Sequence, residues 1–196
     1  MQSKAARPSE ACKLKQTQVQ VLRTKRLVIG PYGLALRSTF LAWMQHAAIE
    51  SFLSRSFPDL PKGELLFDRL IRRGSAALPE ARVWAVTDAA DGELVAHVEC
   101  KATPKTSGAE RELIYAVRRD FEGRGIATEA VMAIVSDLIA TGVDLVAYVN
   151  PANKASRRVL AKAGFDLTGE AVQGQGERWV LARRASMQSP SPPRPT

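Results

Sequence analysis

Residues 112–128 form the stretch of this sequence whose residue types could bind a charged ligand. An apolar run leads there into the turn Gly123-Arg124-Gly125, and a segment with helical periodicity follows. Glycines let a backbone approach an anion closely, and the free amides of a first helical turn point at it with the positive end of the helix dipole. The pattern predicts a phosphate-binding site where a strand ends and a helix begins.

Metal and disulfide chemistry are disfavoured by the cysteine and histidine content. Cys12 and Cys100 are far apart, and His46 and His97 are the only histidines, so no cluster with zinc-ligand spacing exists. No apolar run reaches the roughly 18 residues that a membrane span needs. The start of the chain lacks the apolar segment of a secretion signal. We therefore expect no metal, no membrane partner and a reducing, cytoplasmic location.

The net charge of +8 is concentrated at the two ends of the chain. Residues 1–26 hold seven Lys or Arg and one acid, and residues 183–196 hold three Arg and no acid. Residues 27–182 hold eighteen Lys or Arg and nineteen acids. Basic tails can contact RNA or ribosomes, but a solvated tail is the commoner case, so the charge is weak evidence for a nucleic-acid partner.

Length and composition predict one domain between two tails. The 196 residues are 45% hydrophobic and 24% charged, which is ordinary for a globular protein. We expect a mobile basic tail over 1–17, a single domain over 18–185 and a disordered Pro/Ser-rich tail over 186–196.

Apolar periodicity predicts strands and helices in a definite order. The predicted strands cover 19–29, 82–87, 93–101, 112–117, 143–149, 165–170 and 177–184, and the predicted helices cover 34–57, 65–71, the segment after Gly125 and the segment that starts at Asn150. Neighbouring strands followed by strand–helix–strand units indicate an α/β protein, of the α+β kind, with a mixed sheet and helices on both faces.

Three stretches together resemble the GNAT family of N-acetyltransferases. Residues 122–127, EGRGIA, are similar to the family's pyrophosphate loop, Gln/Arg-x-x-Gly-x-Gly/Ala. Residues 150–165, NPANKASRRVLAKAGF, resemble the Asn-x-x-Ser-x-x-Val-Leu-x-Lys-x-Gly-Phe signature of the ribosomal-protein-alanine acetyltransferase branch. Residues 22–27, LRTKRL, resemble that branch's Thr-Glu-Arg-Leu opening. The resemblance covers about residues 20–184.

The resemblance implies an acetyl-CoA-dependent acyltransferase with a mostly antiparallel sheet of six to seven strands, splayed between the fourth and fifth. Acetyl-CoA would bind along the fourth strand and at the glycine turn. The implied cofactor contacts are Ala116, Val117, Arg118, Arg124, Gly125, Ile126, Ala127, Thr128, Asn153 and Ser156. Glu122 stands where the family pattern has Gln or Arg. A carboxylate there would repel a phosphate unless it points outward.

A general base is needed because an alkyl ammonium must lose a proton before it attacks a thioester. The resemblance implies Glu112 for this role, and an exposed glutamate at a strand end is an equally good interpretation. Glu99 is a second candidate and shares one strand face with His97 by period-2 alternation. The alternative interpretation is that both side chains only line the solvent side of the sheet, and for His97 we favour it over catalysis.

The departing thiolate must also be protonated. Many family members use a Tyr of the last helix, but this chain has Val159 and Leu160 there. The branch implies Ser156 as the substitute, and a hydroxyl that only satisfies helix-start amides is an equal alternative. Asn153 would contact the cofactor or cap the helix. Tyr115 is expected in the core or beside the acyl group.

The acceptor is left open between a protein N-terminus and a small-molecule amine. A different class of function is a non-catalytic CoA-binding protein that works through its tails, and a third is a ribosome- or RNA-associated protein of the same fold. A homodimer is an open hypothesis.

Overall fold

The structure is a computed structural model that describes residues 21–46, 63–75, 81–102, 110–172 and 176–182. The predicted tails, 1–17 and 186–196, lie outside the described residues. So does the second half of the helix predicted over 34–57.

Eight strands form a single mixed sheet in the described part of the chain. They are β1 (Leu22–Arg23), β2 (Leu27–Gly30), β3 (Ala81–Asp88), β4 (Leu94–Ala102), β5 (Glu110–Val117), β6 (Asp144–Val149), β7 (Asp166–Val172) and β8 (Gly176–Leu181). Their order across the sheet is β1-β2-β3-β4-β5-β6-β8-β7. The β5–β6 pair is parallel and the other pairs are antiparallel. The predicted α/β class with a mostly antiparallel sheet is confirmed.

Four α-helices are described: α1 (Arg37–Met44), α2 (Glu64–Ser75), α3 (Ile126–Ile139) and α4 (Lys154–Lys162). Short 3-10 turns precede α1 (Leu34–Leu36) and follow β5 (Arg119–Phe121). Helix α3 follows the glycine turn as predicted. Helix α4 begins four residues later than predicted, because residues 150–153 form a turn in which Asn150 Oδ1 accepts a hydrogen bond from the Ala152 amide at 2.9 Å.

The two faces of the sheet carry separate apolar clusters. Trp84, Val98, Leu113, Ile134 and Leu160 belong to the cluster of α3 and α4. Tyr32, Phe40, Phe67, Leu70 and Val83 belong to the cluster of α1 and α2. Trp84 and Val83 are neighbours in β3 and fall in different clusters, which is the period-2 alternation of a strand buried on both sides. Helices therefore cover both faces of the sheet, as predicted.

The first predicted strand, 19–29, is two strands in the structure. Thr24 breaks it with a turn: the Thr24 amide donates to the Leu27 carbonyl at 3.0 Å, and the Leu27 amide donates to Thr24 Oγ1 at 3.0 Å. The side-chain bond competes with the strand ladder, so β1 and β2 fold back as an antiparallel pair. This turn raises the strand count to eight instead of the six to seven expected.

No helix among the described residues is long and apolar enough to cross a membrane. The same residues contain no group of three or more His, Cys, Asp or Glu side chains that could hold a metal ion.

Candidate active site

The candidate active site begins at a gap in the sheet between β5 and β6. These strands pair only at three positions, from Glu110 with Asp144 to Glu112 with Val146. Beyond Glu112, residues 113–117 pair with β4, while residues 147–149 pair with β8. The two strands thus diverge, and backbone groups on their facing edges are left for a ligand. This splay lies between the fourth and fifth strands of the predicted set, as the sequence predicted.

The glycine turn lies at the open end of β5 and leads into α3. Gly123 and Gly125 have φ values of 73° and 79°, a left-handed conformation that side chains rarely adopt. Gly125 is the N-cap of α3 and makes no side-chain capping bond. The first hydrogen bond of the helix runs from the Glu129 amide to the Gly125 carbonyl at 3.1 Å. The amides of the three residues between them therefore precede the helical ladder, which is the arrangement that binds anions at other helix N-termini.

The start of α3 is held by the turn between β1 and β2. Thr24 Oγ1 donates to Glu129 Oε1 at 2.6 Å, and the Arg26 amide donates to the same oxygen at 3.1 Å. Arg26 also contacts Glu129 Oε2 through Nε at 2.8 Å and NH2 at 2.6 Å. Its NH1 donates to the Arg124 carbonyl at 2.9 Å. One guanidinium thus links the glycine turn to the first turn of the helix.

This clamp, formed by Thr24, Arg26 and Glu129, also controls charge beside the anion-binding amides. Burial by itself would raise the pKa of Glu129, but the hydrogen bonds from Thr24 and Arg26 outweigh it and bring the pKa below its usual value. Glu129 is therefore an anion in the first turn of α3, and Arg26 neutralises it. Glu122, the residue that departs from the family pattern, is exposed to solvent.

Ser156 lies in the first turn of α4, and its hydroxyl reaches β5. The Ser156 amide donates to Asn153 Oδ1 at 3.0 Å, so Asn153 caps the helix. Ser156 Oγ lies 2.6 Å from the Tyr115 hydroxyl, which is also 3.3 Å from the Ser156 carbonyl. Burial raises the pKa of Tyr115 to about 12, and its hydrogen bond with Ser156 opposes the shift. The Ser156 hydroxyl is thus bonded to a phenol rather than to helix-start amides.

Glu112 occupies the last paired position before β5 and β6 diverge. Lys101 is its cross-strand neighbour on β4, and Lys101 Nζ lies 3.7 Å from Glu112 Oε2. The Glu112 side chain is 18% exposed. Burial raises the pKa of Glu112, while the positive charge of Lys101 lowers the pKa in part. A half-buried carboxylate with a raised pKa at the closed end of a gap has the environment of a general base.

The interpretation that His97 and Glu99 line a solvent-facing side is wrong. Both residues are completely buried, because α1 and α2 cover that face of the sheet. His97 Nδ1 lies 2.9 Å from the Tyr32 hydroxyl, and Glu99 Oε1 lies 3.4 Å from Arg73 NH1. Burial lowers the pKa of His97 to about 3, so the imidazole is neutral. Both side chains therefore belong to the core of this face.

Arg118 and Arg124 are held by contacts within the protein. Arg118 NH1 lies 2.6 Å from Glu93 Oε1, and its NH2 lies 3.2 Å from Asp120 Oδ2. Both guanidinium groups lie over the Phe121 ring: the distance from Cζ to the ring centroid is 5.2 Å for Arg118 and 5.0 Å for Arg124. A cofactor contact from either residue stays a prediction.

The structure brings the predicted site residues to one region along the splay. Glu112 lies at its closed end, residues 116–118 at the open end of β5, residues 124–128 at the start of α3, and Ser156 at the start of α4. Sequence reasoning missed the roles of Thr24, Arg26 and Glu129. The similarity of residues 22–27 to a known opening was visible, but no local signal connects it to a residue more than 100 positions away.

A family model described as an acetyltransferase (GNAT) domain matches residues 26–166. That match includes Arg26 and Glu129 of the clamp, the splay, the glycine turn and α4. No curated protein matches the chain significantly.

Several solved structures are similar to this one. A GNAT-family acetyltransferase from Bacillus anthracis has a TM-score of 0.67 and 14% identity over 85% of this chain and 100% of its own. The ribosomal-protein-S5-alanine acetyltransferase from Vibrio fischeri has a TM-score of 0.62 and 15% identity over 84% of this chain and 97% of its own. The aminoglycoside acetyltransferase AAC(6')-Ib, solved with coenzyme A, has a TM-score of 0.61 and 15% identity over 80% of this chain and 95% of its own. At these identities the likeness shows a shared fold.

Proposed function

Because the chain belongs to the GNAT acetyltransferase family, we propose that it transfers an acetyl group from acetyl-CoA to a primary amine by direct attack on the thioester. The observation that carries this proposal is the convergence of three features: the uncapped start of α3, the splay between β5 and β6, and the Ser156 hydroxyl at the start of α4. The thioester supplies the activated acyl group. The chain's own residues bind it, orient it and move protons.

The glycine turn and the first turn of α3 fit a pyrophosphate. The amides of Ile126, Ala127 and Thr128 precede the helical ladder, and Gly125 brings the backbone close to the ligand. Arg124 can add positive charge from the same turn. Ala116 and Val117 lie where the edge of β5 opens and could contact the extended part of the cofactor. The Arg118 amide and carbonyl are bonded to Val95 and Phe121, so a contact from Arg118 would come from its side chain. Asn153 contributes through the cap that orients the start of α4.

Glu112 is proposed as the base that accepts a proton from the acceptor amine. Its raised pKa matches it better to an amine at neutral pH than a fully solvated glutamate would be. The Lys101 ammonium favours its ionised form. Ser156 is proposed to donate its hydroxyl proton to the sulfur that leaves, because Val159 and Leu160, which stand where many family members carry a Tyr, have no proton to donate.

The acceptor class rests on two kinds of neighbour. One similar structure is a ribosomal-protein-S5-alanine acetyltransferase, and another is an aminoglycoside acetyltransferase solved with coenzyme A and kanamycin. A protein N-terminus and a small-molecule amine are both primary amines, and the proposed base serves either.

The proposal is tested by two measurements on the full chain. Calorimetry with acetyl-CoA should give saturable binding of one cofactor per chain. Thiol release should then follow addition of a panel of amines that contains Ala-initiated peptides and aminoglycosides. Absence of cofactor binding removes the proposal. Binding without thiol release for any amine favours the non-catalytic CoA-binding alternative.

The tails separate the enzyme from a protein that works through them. A chain lacking residues 1–17 and 186–196 should keep its kcat/KM within about twofold if the acyltransferase activity is the function. Loss of the activity on this deletion would contradict a self-contained active site.

A further inference from the structure

The 2.6 Å contact between the Tyr115 hydroxyl and Ser156 Oγ joins β5 to α4 across the splay. This separation is short for a bond between two hydroxyl groups, whose usual value is about 2.7–2.8 Å. The two residues are 41 positions apart in the sequence. Which hydroxyl donates in this contact decides where the other proton of the pair can point.

Either oxygen could donate in this pair, and the chemistry of the two hydroxyl groups favours Tyr115. A phenol is more acidic than an alkyl hydroxyl, and at neutral pH the buried Tyr115 keeps its proton, since burial raises its pKa to about 12. The Ser156 carbonyl, 3.3 Å from the Tyr115 oxygen, competes for the single phenol proton, but Ser156 Oγ is the closer acceptor at 2.6 Å. The phenol proton therefore points at Ser156 from the β5 side.

Acceptance of this bond leaves Ser156 with its own proton to donate. The Ser156 amide is fixed by Asn153 Oδ1 at 3.0 Å, so the backbone position of the residue is set independently of its hydroxyl. A hydroxyl that accepts one hydrogen bond becomes a stronger donor of another, because the two bonds polarise each other. The Ser156 proton is then directed away from Tyr115.

We propose that Tyr115 is a positioning residue for acyl transfer: its phenol donates to Ser156 Oγ and so directs the Ser156 proton at the sulfur that leaves acetyl-CoA. This inference rests on the proposed function and deepens it.

The amine nitrogen forms the new N–C bond, and the C–S bond breaks with its electron pair on sulfur. Sulfur takes the Ser156 proton, and Ser156 regains one from water. The ammonium loses two protons through Glu112 to solvent, so one proton is released per turnover, and Tyr115 keeps its own.

The test compares Tyr115→Phe, Ser156→Ala and the double variant in steady-state kinetics with acetyl-CoA. Tyr115→Phe should lower kcat about tenfold and leave the KM for acetyl-CoA within twofold. The double variant should be no slower than Ser156→Ala, because Tyr115 acts only through Ser156. Thr141→Val is the matched control: it removes a 2.6 Å bond from Oγ1 to the Leu138 carbonyl at the far end of α3 and should not change kcat.

A second acyl donor separates positioning from a general loss of structure. 4-Nitrothiophenyl acetate releases an acidic thiol that departs without a proton, so wild type and Tyr115→Phe should react with it at rates within twofold. An equal defect on both donors would mean that Tyr115 only supports the fold. The ratio of the rates with the two acyl donors stays informative even if Tyr115→Phe is less stable, because partial unfolding lowers both rates by the same factor.

Failure of this inference differs from failure of the proposed function. An active wild type with an unimpaired Tyr115→Phe variant, or additive losses in the double variant, overturns the role of Tyr115 alone. A wild-type chain that releases no thiol with any amine overturns both.

Discussion

Glu112 is subject to two opposing influences, and their balance decides at which pH it can act. Burial favours its neutral form, while the Lys101 ammonium 3.7 Å away favours the carboxylate. Burial is the larger effect, so the pKa lies above the ordinary glutamate value. A base must be deprotonated to work, so activity should fall on acidification at a higher pH than a solvated glutamate would cause.

Replacement of the Glu112 carboxylate should lower the rate of acyl transfer and abolish its dependence on pH in the acidic range. Glu112→Gln should lower kcat/KM for the amine by about 100-fold, the lower end of general-base contributions. The KM for acetyl-CoA should stay within twofold, and the acidic limb of the pH–rate profile should disappear. Glu64→Gln, which alters an exposed partner of Arg37 on α2, is the control and should keep the wild-type profile. A variant that keeps the acidic limb would assign it to another group.

Lys101 should tune that limb without taking part in the reaction. Lys101→Met removes the charge that lowers the pKa of Glu112, so the pKa rises further and the acidic limb moves to higher pH. The rate on the plateau above the limb should change less than threefold. Lys162→Met, at the end of α4, should leave the limb where it is. A shift toward lower pH would contradict the ion pair as the cause.

The start of α3 shows how an element can be placed by a distant segment. Helix propensity and the two glycines specify that a helix begins near Ile126, but the anchor of its first turn is Arg26 on the β1–β2 side. The clamp places a carboxylate, Glu129, beside the anion-binding amides and cancels its charge with one guanidinium. Loop position and local charge therefore depend on the same contact.

Breaking the clamp should weaken cofactor binding chiefly through charge. Arg26→Gln leaves Glu129 uncompensated, and we expect the Kd for acetyl-CoA to rise about tenfold, or roughly 1.4 kcal/mol. Adding Glu129→Gln should recover most of the loss, since the repelling carboxylate is gone. Calorimetry at low and high salt provides the measurement, and the loss should shrink as salt screens the charges.

The recovery in the double variant is the decisive comparison. If Arg26→Gln with Glu129→Gln binds as weakly as Arg26→Gln alone, the bond from Arg26 to the Arg124 carbonyl carries the effect instead. An unchanged Kd in Arg26→Gln would show that the clamp does not support the cofactor site.

The sheet as a whole is covered on both faces, and its α1–α2 face buries polar groups as well as apolar ones. His97 and Glu99 are completely buried there together with Tyr32. His97 has an ordinary pKa of 6.5 when unfolded and a pKa of about 3 when folded, through loss of hydration. Between these values the unfolded chain binds a proton that the folded protein excludes, so stability decreases as pH falls below about 6.5.

His97 should therefore account for part of the acid sensitivity of the whole protein. Its contribution to the free energy of unfolding should fall by up to about 1.4 kcal/mol per pH unit between pH 6 and pH 4. His97→Gln should show a shallower dependence in urea titrations at these pH values, whatever its stability at pH 7. His46→Gln, at the exposed histidine, should keep the wild-type slope. Equal slopes for wild type and His97→Gln would contradict the burial-driven shift.

Much of this architecture follows from patterns that are local in the sequence. Strands can be identified from the runs of apolar residues in β3, β4, β5 and β6. The polarity of neighbouring residues shows whether one or both faces of a strand are buried. Gly123 and Gly125 identify the tight turn before α3, since few other residues adopt its left-handed backbone. Residues 150–153, Asn-Pro-Ala-Asn, indicate that α4 begins close by, although the cap is Asn153 and not Asn150. These features need no knowledge of the rest of the molecule.

Other features depend on contacts between segments that no local pattern connects. His97 is buried because α1 and α2 pack over β4. Alternation along β4 could predict on which face of the sheet His97 lies, but not how much of it solvent reaches. The partner of Ser156 is Tyr115, 41 residues earlier, and the partner of Glu129 is Arg26, 103 residues earlier. Amino-acid types and spacing specify which elements form and which ligand chemistry they suit. Their charges and donor directions are decided only when packing brings the elements together, because desolvation and hydrogen bonding act through space.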